Sequence, residues 1–168
     1  MQPIIIIDDF FKEKNALEGF KNKINTFAPT RGVWLSHPNE TYTDDILTTA
    51  GNYYDMNKCV GFEVWTHNNS KPTADYDGGW HYDKDEYRYG LNNILSFPIC
   101  SCIFYVEVQN LEGGRLVIED IKIIPRPNRL IIFGPGKKHY VEDFSGVRYS
   151  ININPWNRKL EEYDAKRY

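Results

Sequence analysis

The chain has 168 residues, a formal net charge of −3 and an apolar share of 41%. This length suits one ordinary domain with a real core, so we expect residues 1–168 to form a single domain. The near balance between 20 basic and 23 acidic side chains argues against nucleic acid or an anionic membrane as a partner, because both attract strongly basic proteins.

The predicted helices lie in the first part of the chain. The β-branched run 4–7 predicts a short buried strand. Asp8 and Asp9 then offer an N-cap for a helix that continues to about residue 27, since apolar residues recur there with near-helical spacing. A second short helix is predicted over residues 43–53. The segment 25–58 otherwise carries no recognisable motif.

The rest of the chain has the pattern of short β-strands. Apolar runs alternate with Gly, Pro and Asn, which is typical of a β-sandwich or barrel. We therefore expect a mainly β (α+β) protein whose sheets are largely antiparallel, with the N-terminal helices packed on one sheet. The predicted strands cover residues 60–66, 80–83, 99–108, 115–119, 121–124, 129–133, 139–141 and 148–154.

Cysteine usage bears on the compartment. The three cysteines, Cys59, Cys100 and Cys102, lack the spacing of a zinc finger. Cys100 and Cys102 lie two apart in an apolar run, so we expect them to share one strand face as buried thiols. The sequence shows neither the basic start of a signal peptide nor the roughly 18 apolar residues of a membrane span. These features predict a protein of the reducing cytoplasm.

His81 and Asp83 are the first candidate metal ligands. Residues two apart on an extended strand leave the same face, so an imidazole and a carboxylate would point to one place. A firm site needs a third ligand. His139 has the most informative context, because the turn at 134–138 should bring a new strand into position. Two histidines and one carboxylate form the facial arrangement of non-haem iron(II) oxygenases, which leaves open positions on the metal.

Other residues compete for these roles. Asp85 lies two residues beyond Asp83 and is the alternative carboxylate. His67 stands beside the polar segment 68–70 and is expected to be a loop histidine, as is His37. A single His-x-Asp pair also arises by chance on surface strands.

Arg148 is the candidate for binding a second, anionic group. A dicarboxylate that chelates iron through its 2-oxo acid end leaves its far carboxylate buried, which is costly unless that charge is paired. Arginine supplies a planar fork that matches a carboxylate, and Ser150 shares its strand face. The alternation leaves open whether this face meets solvent or a barrel interior. The polar row comprises Arg148, Ser150, Asn152 and Asn154, and the apolar row Tyr149, Ile151 and Ile153.

These motifs resemble those of the 2-oxoglutarate- and Fe(II)-dependent oxygenase superfamily, especially its prolyl-hydroxylase-like branch and the small stand-alone oxygenases of bacteria and phages. His81-Tyr82-Asp83 resembles the family's His-x-Asp/Glu motif, which favours Asp83 over Asp85. His139 and Arg148 resemble its distal histidine and downstream basic residue. Three segments resemble the family's opening strand-to-helix segment and the strand, turn and strand between its motifs: 6–10, 102–105 and 113–116.

The resemblance implies a double-stranded β-helix, a jelly-roll-like pair of sheets with the metal between them. It implies Fe(II), dioxygen and 2-oxoglutarate, with decarboxylation of 2-oxoglutarate to succinate and hydroxylation of an unactivated C–H bond. In the family, the tyrosine matching Tyr105 binds the same carboxylate as the arginine, although a core tyrosine is the alternative. Ser150 is a second expected cosubstrate contact. Trp65, Trp80 and Asn152 are candidate pocket residues.

The primary substrate is less defined. The prolyl-hydroxylase resemblance favours a protein side chain, with proline first, and a small molecule is the alternative. We expect the loops 67–79 and 86–98 to select it. The main rival function is a cupin-like metal or small-molecule binding protein without oxygenase activity, because a fold does not fix a function. A carboxylate clamp at Arg148 argues against that rival.

Overall fold

The computed structural model describes residues 3–26, 32–36, 43–69 and 79–165. Nine strands are found in these ranges: β1 (Ile5–Ile7), β2 (Val33–Leu35), β3 (Gly61–Asn69), β4 (Ser101–Gly113), β5 (Leu116–Ile118), β6 (Ile121–Ile123), β7 (Leu130–Phe133), β8 (His139–Val141) and β9 (Phe144–Trp156). The helices there are α1 (Lys14–Thr26), α2 (Asp44–Gly51), α3 (Glu86–Asn92) and α4 (Glu162–Ala165), with a 3-10 turn at Met56–Lys58.

The strands form two antiparallel sheets. The larger sheet has the order β1-β7-β4-β9-β3-β2, and the smaller has the order β6-β5-β8. Strands β4 and β9 are each 13 residues long and pair with one another in the middle of the larger sheet. The predicted mainly antiparallel β architecture is confirmed. None of the helices in the described ranges is long and apolar enough to cross a membrane.

The outer face of the larger sheet carries the main core. Phe20 and Ile24 of α1 and Ile46 of α2 are buried against it, as the helical spacing of apolar residues requires. The apolar row of β9 lies on this face. The prediction that helices pack on one sheet is confirmed. Cys100 and Cys102 are fully buried here as free thiols, as predicted.

A second core lies between the two sheets. Ile103 and Tyr105 from β4 meet Leu116 and Ile118 from β5 there. Because both faces of β4 and β9 are covered, nearly every residue from Ser101 to Val106 and from Arg148 to Trp156 is buried. The interior face of the larger sheet thus lines a space between the sheets.

The prediction for the N-terminal segment is partly wrong. Helix α1 begins at Lys14, so Asp8 and Asp9 are not its N-cap. Asp8 instead accepts two hydrogen bonds from the guanidinium of Arg129, at 2.6 and 2.8 Å. Asn128 exchanges two side-chain hydrogen bonds of 3.0 Å with the backbone of Phe11. These contacts hold the chain away from helical geometry, and Asp9 has a φ of 49°.

Other boundaries also differ from the prediction. The strand at 4–7 lies at a sheet edge with Ile6 44% exposed, so it is not fully buried. The strand predicted at 80–83 is reduced to one backbone bridge. Strand β2 and helices α3 and α4 were not predicted. Residue 27, His37 and residues 70–78 lie outside the described ranges.

Candidate active site

Three side chains that are distant in sequence meet at one end of the space between the sheets. The ligand atoms of His81, Asp83 and His139 all lie within 4.8 Å of one another. The backbones of His81 and His139 exchange two hydrogen bonds, of 3.0 and 2.9 Å, which fix the two residues side by side. The imidazole centroids are 4.4 Å apart. The convergence of these side chains, expected from the sequence, is present in the structure.

Backbone carbonyls orient both imidazoles. Nδ1 of His81 lies 3.0 Å from the Gly79 carbonyl oxygen, and Nδ1 of His139 lies 3.0 Å from that of Lys137. A carbonyl oxygen only accepts, so each Nδ1 carries a proton and donates it. In the neutral ring of this tautomer the lone pair is on Nε2, which is the form of histidine that ligates metals. Burial also lowers the pKa of His139, with Asp83 opposing and His81 reinforcing that shift.

Asp83 has one carboxylate oxygen held and one directed at the histidines. Ser101 donates a hydrogen bond of 2.5 Å to Oδ2 of Asp83. Oδ1 lies 3.7 Å from Nε2 of His139. Two imidazole nitrogens and one carboxylate oxygen therefore share a small volume, a donor set that suits ferrous iron. The chemistry of these donors fits the predicted metal.

The rival carboxylate, Asp85, is engaged elsewhere. It is only 1% exposed and caps α3, accepting a hydrogen bond of 2.9 Å from the backbone of Arg88. Its other oxygen accepts a hydrogen bond from Arg158. Asp85 is therefore a structural residue that ties α3 to the chain following β9, and it does not join the cluster of possible ligands.

Arg148 lies buried on β9 at the opposite end of the same space. It is 4% exposed and donates hydrogen bonds to the Tyr105 hydroxyl at 3.2 Å and the Ser150 hydroxyl at 3.5 Å. No carboxylate among the described residues lies within ion-pair distance of it, and its buried Nε has no hydrogen-bond partner. A buried cation without a counter-ion is costly, so this position fits an incoming carboxylate.

The two ends are joined by a cavity of about 310 Å³. Its walls include Arg148, Asn152 and Asn154 from the polar row of β9, which answers the question that the sequence left open: this row faces the interior. Trp65 and Asn152, predicted as pocket residues, line the cavity. Leu116 and Val141 from the smaller sheet close its other side. A cavity of this size accommodates a small dicarboxylate with one further group.

His67 corrects the prediction of a loop histidine. It lies on β3 opposite Ser150 and lines the cavity. Its Nε2 accepts a hydrogen bond of 3.0 Å from the Trp65 indole. Burial lowers the pKa of His67 to about 4, and the nearby Arg148 contributes, so the ring is neutral. The polar residues after it mimicked a turn and hid the extension of the strand.

Trp80 is the other predicted pocket residue, and its assignment is wrong. Its side chain is 46% exposed, and its ring packs on Tyr140 with centroids 4.5 Å apart. The residues lining the cavity in the described part of the chain do not include it. With an isolated bridge in place of a strand at 80–83, its side chain lies outside the cavity.

Glu63 is a cavity residue that sequence reasoning missed. It lies on β3 two residues before Trp65, and its Oε1 accepts a hydrogen bond of 2.6 Å from the Tyr163 hydroxyl. Burial raises the pKa of Glu63 to about 7, while the Tyr163 hydrogen bond opposes that shift. The signal was an acidic residue inside the predicted strand 60–66, in phase with Trp65.

Comparison with known proteins identifies the family. A family model described as the 2OG-Fe(II) oxygenase superfamily matches residues 55–156, more than half of the chain. The chain therefore belongs to this superfamily, as the motifs predicted. No curated protein matched the sequence.

Solved structures show the same fold. A prolyl-4-hydroxylase from Pseudomonas putida has a TM-score of 0.63 and 15% identity, and the match covers 95% of each chain. A viral collagen prolyl hydroxylase from Paramecium Bursaria Chlorella virus-1 has a TM-score of 0.55 and 16% identity, and the match covers 89% of this chain and 88% of that one. A prolyl hydroxylase from Trichoplax adhaerens, in complex with a hypoxia inducible factor peptide, has a TM-score of 0.58 and 14% identity. That match covers 100% of this chain and 88% of the other. These likenesses confirm the double-stranded β-helix.

Proposed function

We propose that the chain is a 2-oxoglutarate-dependent dioxygenase that hydroxylates an unactivated C–H bond, with succinate as coproduct. The observation that carries this proposal is the pairing of two sites in one cavity. A cluster of two imidazoles and a carboxylate lies at one end, and at the other lies a buried guanidinium with no acidic partner among the described residues. Family membership supports the same reaction class. We further propose that residues 1–168 act as one catalytic domain.

In this proposal His81, Asp83 and His139 hold Fe(II). When bound, the iron supplies the redox chemistry that activates dioxygen and couples 2-oxoglutarate decarboxylation to hydroxylation. The protein's part is to fix the ligands. Carbonyl acceptors hold each histidine in the Nδ1–H tautomer, and Ser101 holds one oxygen of Asp83 so that the other can face the metal.

Arg148 binds the far carboxylate of 2-oxoglutarate. Its guanidinium offers parallel donors that match a carboxylate, and burial strengthens the pairing by excluding water. The Tyr105 and Ser150 hydroxyls lie next to Arg148 and add donors for the same group. The guanidinium of Arg148 is already desolvated in the folded protein. Binding of the cosubstrate carboxylate therefore offsets the free-energy cost of burying this charge.

The primary substrate enters from the side of the cavity not used by Arg148. A protein side chain, with proline first, remains our leading proposal, because one structural neighbour is in complex with a peptide. A small molecule is the alternative. Of the loops predicted to select the substrate, residues 86–92 form α3, whose first residue, Glu86, lines the cavity.

The test is succinate release from 2-oxoglutarate with ferrous iron. We expect the wild type to release succinate without an added substrate, and His139→Ala to reduce the rate at least about 100-fold by removing a ligand. Lys138→Ala is the matched control, because Lys138 is the exposed neighbour of His139 and should keep the wild-type rate. A wild type that binds iron but has no affinity for 2-oxoglutarate would instead favour a cupin-like binding protein.

A further inference from the structure

Glu63 lies at the metal end of the cavity. It faces Asn154 across the β3–β9 pair, whereas Arg148 faces Asn69 six residues away along β9. Six residues of extended strand span roughly 20 Å, so Glu63 and Arg148 lie at opposite ends. The negative charge of Asp83 also contributes to the environment of Glu63. Glu63 is therefore placed near the reaction point and away from the proposed cosubstrate clamp.

Among the described residues, none of the cations in the cavity pairs with Glu63. Lys84 lines the cavity too, but its Nζ is 2.6 Å from Glu86. Arg148 is committed to the anionic cosubstrate in the proposed function. No Lys, Arg or His in the described part of the chain lies within ion-pair distance of Glu63, whose hydrogen-bond donor is the neutral Tyr163 hydroxyl.

A carboxyl group in this position favours the binding of a positively charged ligand group. Burial penalises its ionised form and raises its pKa to about 7, and a cation placed beside it would reverse that penalty. Trp65 projects from the same face of β3, two residues on, and lines the cavity beside it. An aromatic wall next to a carboxylate is the combination that binds ammonium and guanidinium groups, through cation–π contact and charge.

We propose that Glu63 binds an ammonium or guanidinium group of the primary substrate. This inference rests on the proposed function, because it takes the His81, Asp83 and His139 cluster as the point of reaction. This role of Glu63 places a free amino acid, held through its α-ammonium, or a basic protein side chain ahead of peptidyl proline, which carries no positive charge. A substrate anchored this way at one end presents a neighbouring C–H bond to the metal cluster.

The experiment measures binding by calorimetry to the whole protein loaded with Mn²⁺ and 2-oxoglutarate. Three probes of similar size separate the two sources of positive charge. Nα-acetyl-L-lysinamide carries only a side-chain ammonium, L-norleucinamide carries only an α-ammonium, and Nα-acetyl-L-norleucinamide carries neither. We expect one of the cationic probes to bind at least about tenfold more tightly than the neutral probe, as for a charged hydrogen bond.

Two variants separate recognition from a structural role. Glu63→Gln keeps an oxygen to accept the Tyr163 hydrogen bond but removes the charge, so the cation preference should disappear while 2-oxoglutarate binding stays. Tyr163→Phe removes the contact to α4 but keeps the carboxylate, so the preference should remain. Glu161→Gln is the matched control, because it removes an exposed carboxylate near Tyr163 that does not line the cavity, and it should keep the preference too.

The outcomes distinguish the two proposals. Failure of the wild type to bind 2-oxoglutarate overturns the proposed function. If 2-oxoglutarate binds, three results overturn the role of Glu63: equal affinity for neutral and cationic probes, a preference that survives Glu63→Gln, or no binding of any probe. Loss of the preference in Tyr163→Phe to the same extent as in Glu63→Gln would show that Glu63 only anchors α4.

Discussion

The two faces of β9 are equally buried, but one belongs to the main core and the other borders the cavity. On one face Tyr149, Ile151 and Ile153 are at most 4% exposed and pack under the helices. On the other face Arg148, Ser150, Asn152 and Asn154 are at most 7% exposed, and all of them except Ser150 line the cavity. Burial alone thus does not separate core from site in this protein.

What separates the faces is how many buried polar side-chain atoms lack a hydrogen-bond partner. Three buried side-chain atoms on the cavity face have no hydrogen-bond partner: Arg148 Nε, Asn152 Oδ1 and Asn154 Oδ1. Buried polar groups are normally satisfied, so such a cluster marks a surface shaped for a ligand. The Tyr149 hydroxyl is the exception on the apolar face. Substitutions on the two faces should therefore affect different measurements.

The largest expected effect is on the apolar face. Ile151→Ala should lower the free energy of unfolding by about 2–5 kcal/mol, because Ile151 is fully buried in the main core and its truncation leaves a cavity. Urea denaturation measures this. Ser150→Ala, one residue away, should change the same quantity by less than about 1 kcal/mol. Equal losses for the two variants would contradict the contrast between the faces.

Arg148→Met, on the cavity face, should impair ligand binding and not stability. Removing a buried cation that has no acidic partner among the described residues should leave the free energy of unfolding unchanged or raise it, because the desolvation cost disappears. The same change should weaken 2-oxoglutarate binding at least about 100-fold, as two charged hydrogen bonds are lost. Calorimetry and urea denaturation together test this. A destabilised variant with intact 2-oxoglutarate affinity would place Arg148 in the core instead.

Glu63 extends the comparison to pH. Its pKa is raised to about 7, chiefly by burial, with Glu162, Asp83 and Asp85 acting in the same direction and the Tyr163 hydrogen bond opposing them. The folded state therefore keeps a proton that the unfolded state has lost, and Glu63 reduces stability as pH rises from about 4.5 to about 7.

Glu63→Gln should remove that pH dependence. The stability of the variant minus that of the wild type should grow by roughly 2 kcal/mol between pH 5 and pH 8, since one pKa unit corresponds to about 1.4 kcal/mol and part of the shift is screened. Taking the difference cancels groups common to both proteins. Urea denaturation across this range provides the measurement. A difference that stays flat would mean that Glu63 titrates normally.

The smallest expected effect is at Tyr105. Tyr105→Phe removes the hydroxyl that accepts a hydrogen bond from Arg148 at 3.2 Å but keeps the ring in the second core. A single hydrogen bond from a hydroxyl to a carboxylate contributes about 1.5 kcal/mol, so 2-oxoglutarate affinity should fall only about tenfold. Stability should change little. A loss as large as that of Arg148→Met would make Tyr105 an equal partner in binding.

The sequence predicted the strands of the two sheets better than it predicted the N-terminus. Period-2 alternation and turn residues are local signals, and they located β3, β4 and β9 within a few residues. The false N-cap at Asp8 is a failure of local reasoning. Its carboxylate is held by Arg129, more than a hundred residues away, and no pattern in the first segment reports that contact.

The candidate site divides along the same line. His81, Asp83, His139 and Arg148 were recognisable because their types and order match a family motif. His67 and Glu63 carry no such motif, and their place in the cavity depends on the β3–β9 register. Trp80 was misplaced because an isolated bridge, unlike a strand, does not fix which way each residue points.

The backbone bridge between His81 and His139 has a practical consequence. Peptide hydrogen bonds set the spacing of the two rings, so the proposed metal site is already formed in the protein before an ion binds. Stripping the protein with a chelator should therefore leave its architecture standing. Adding back a ferrous salt should restore succinate release within the time of mixing, because no refolding step is needed.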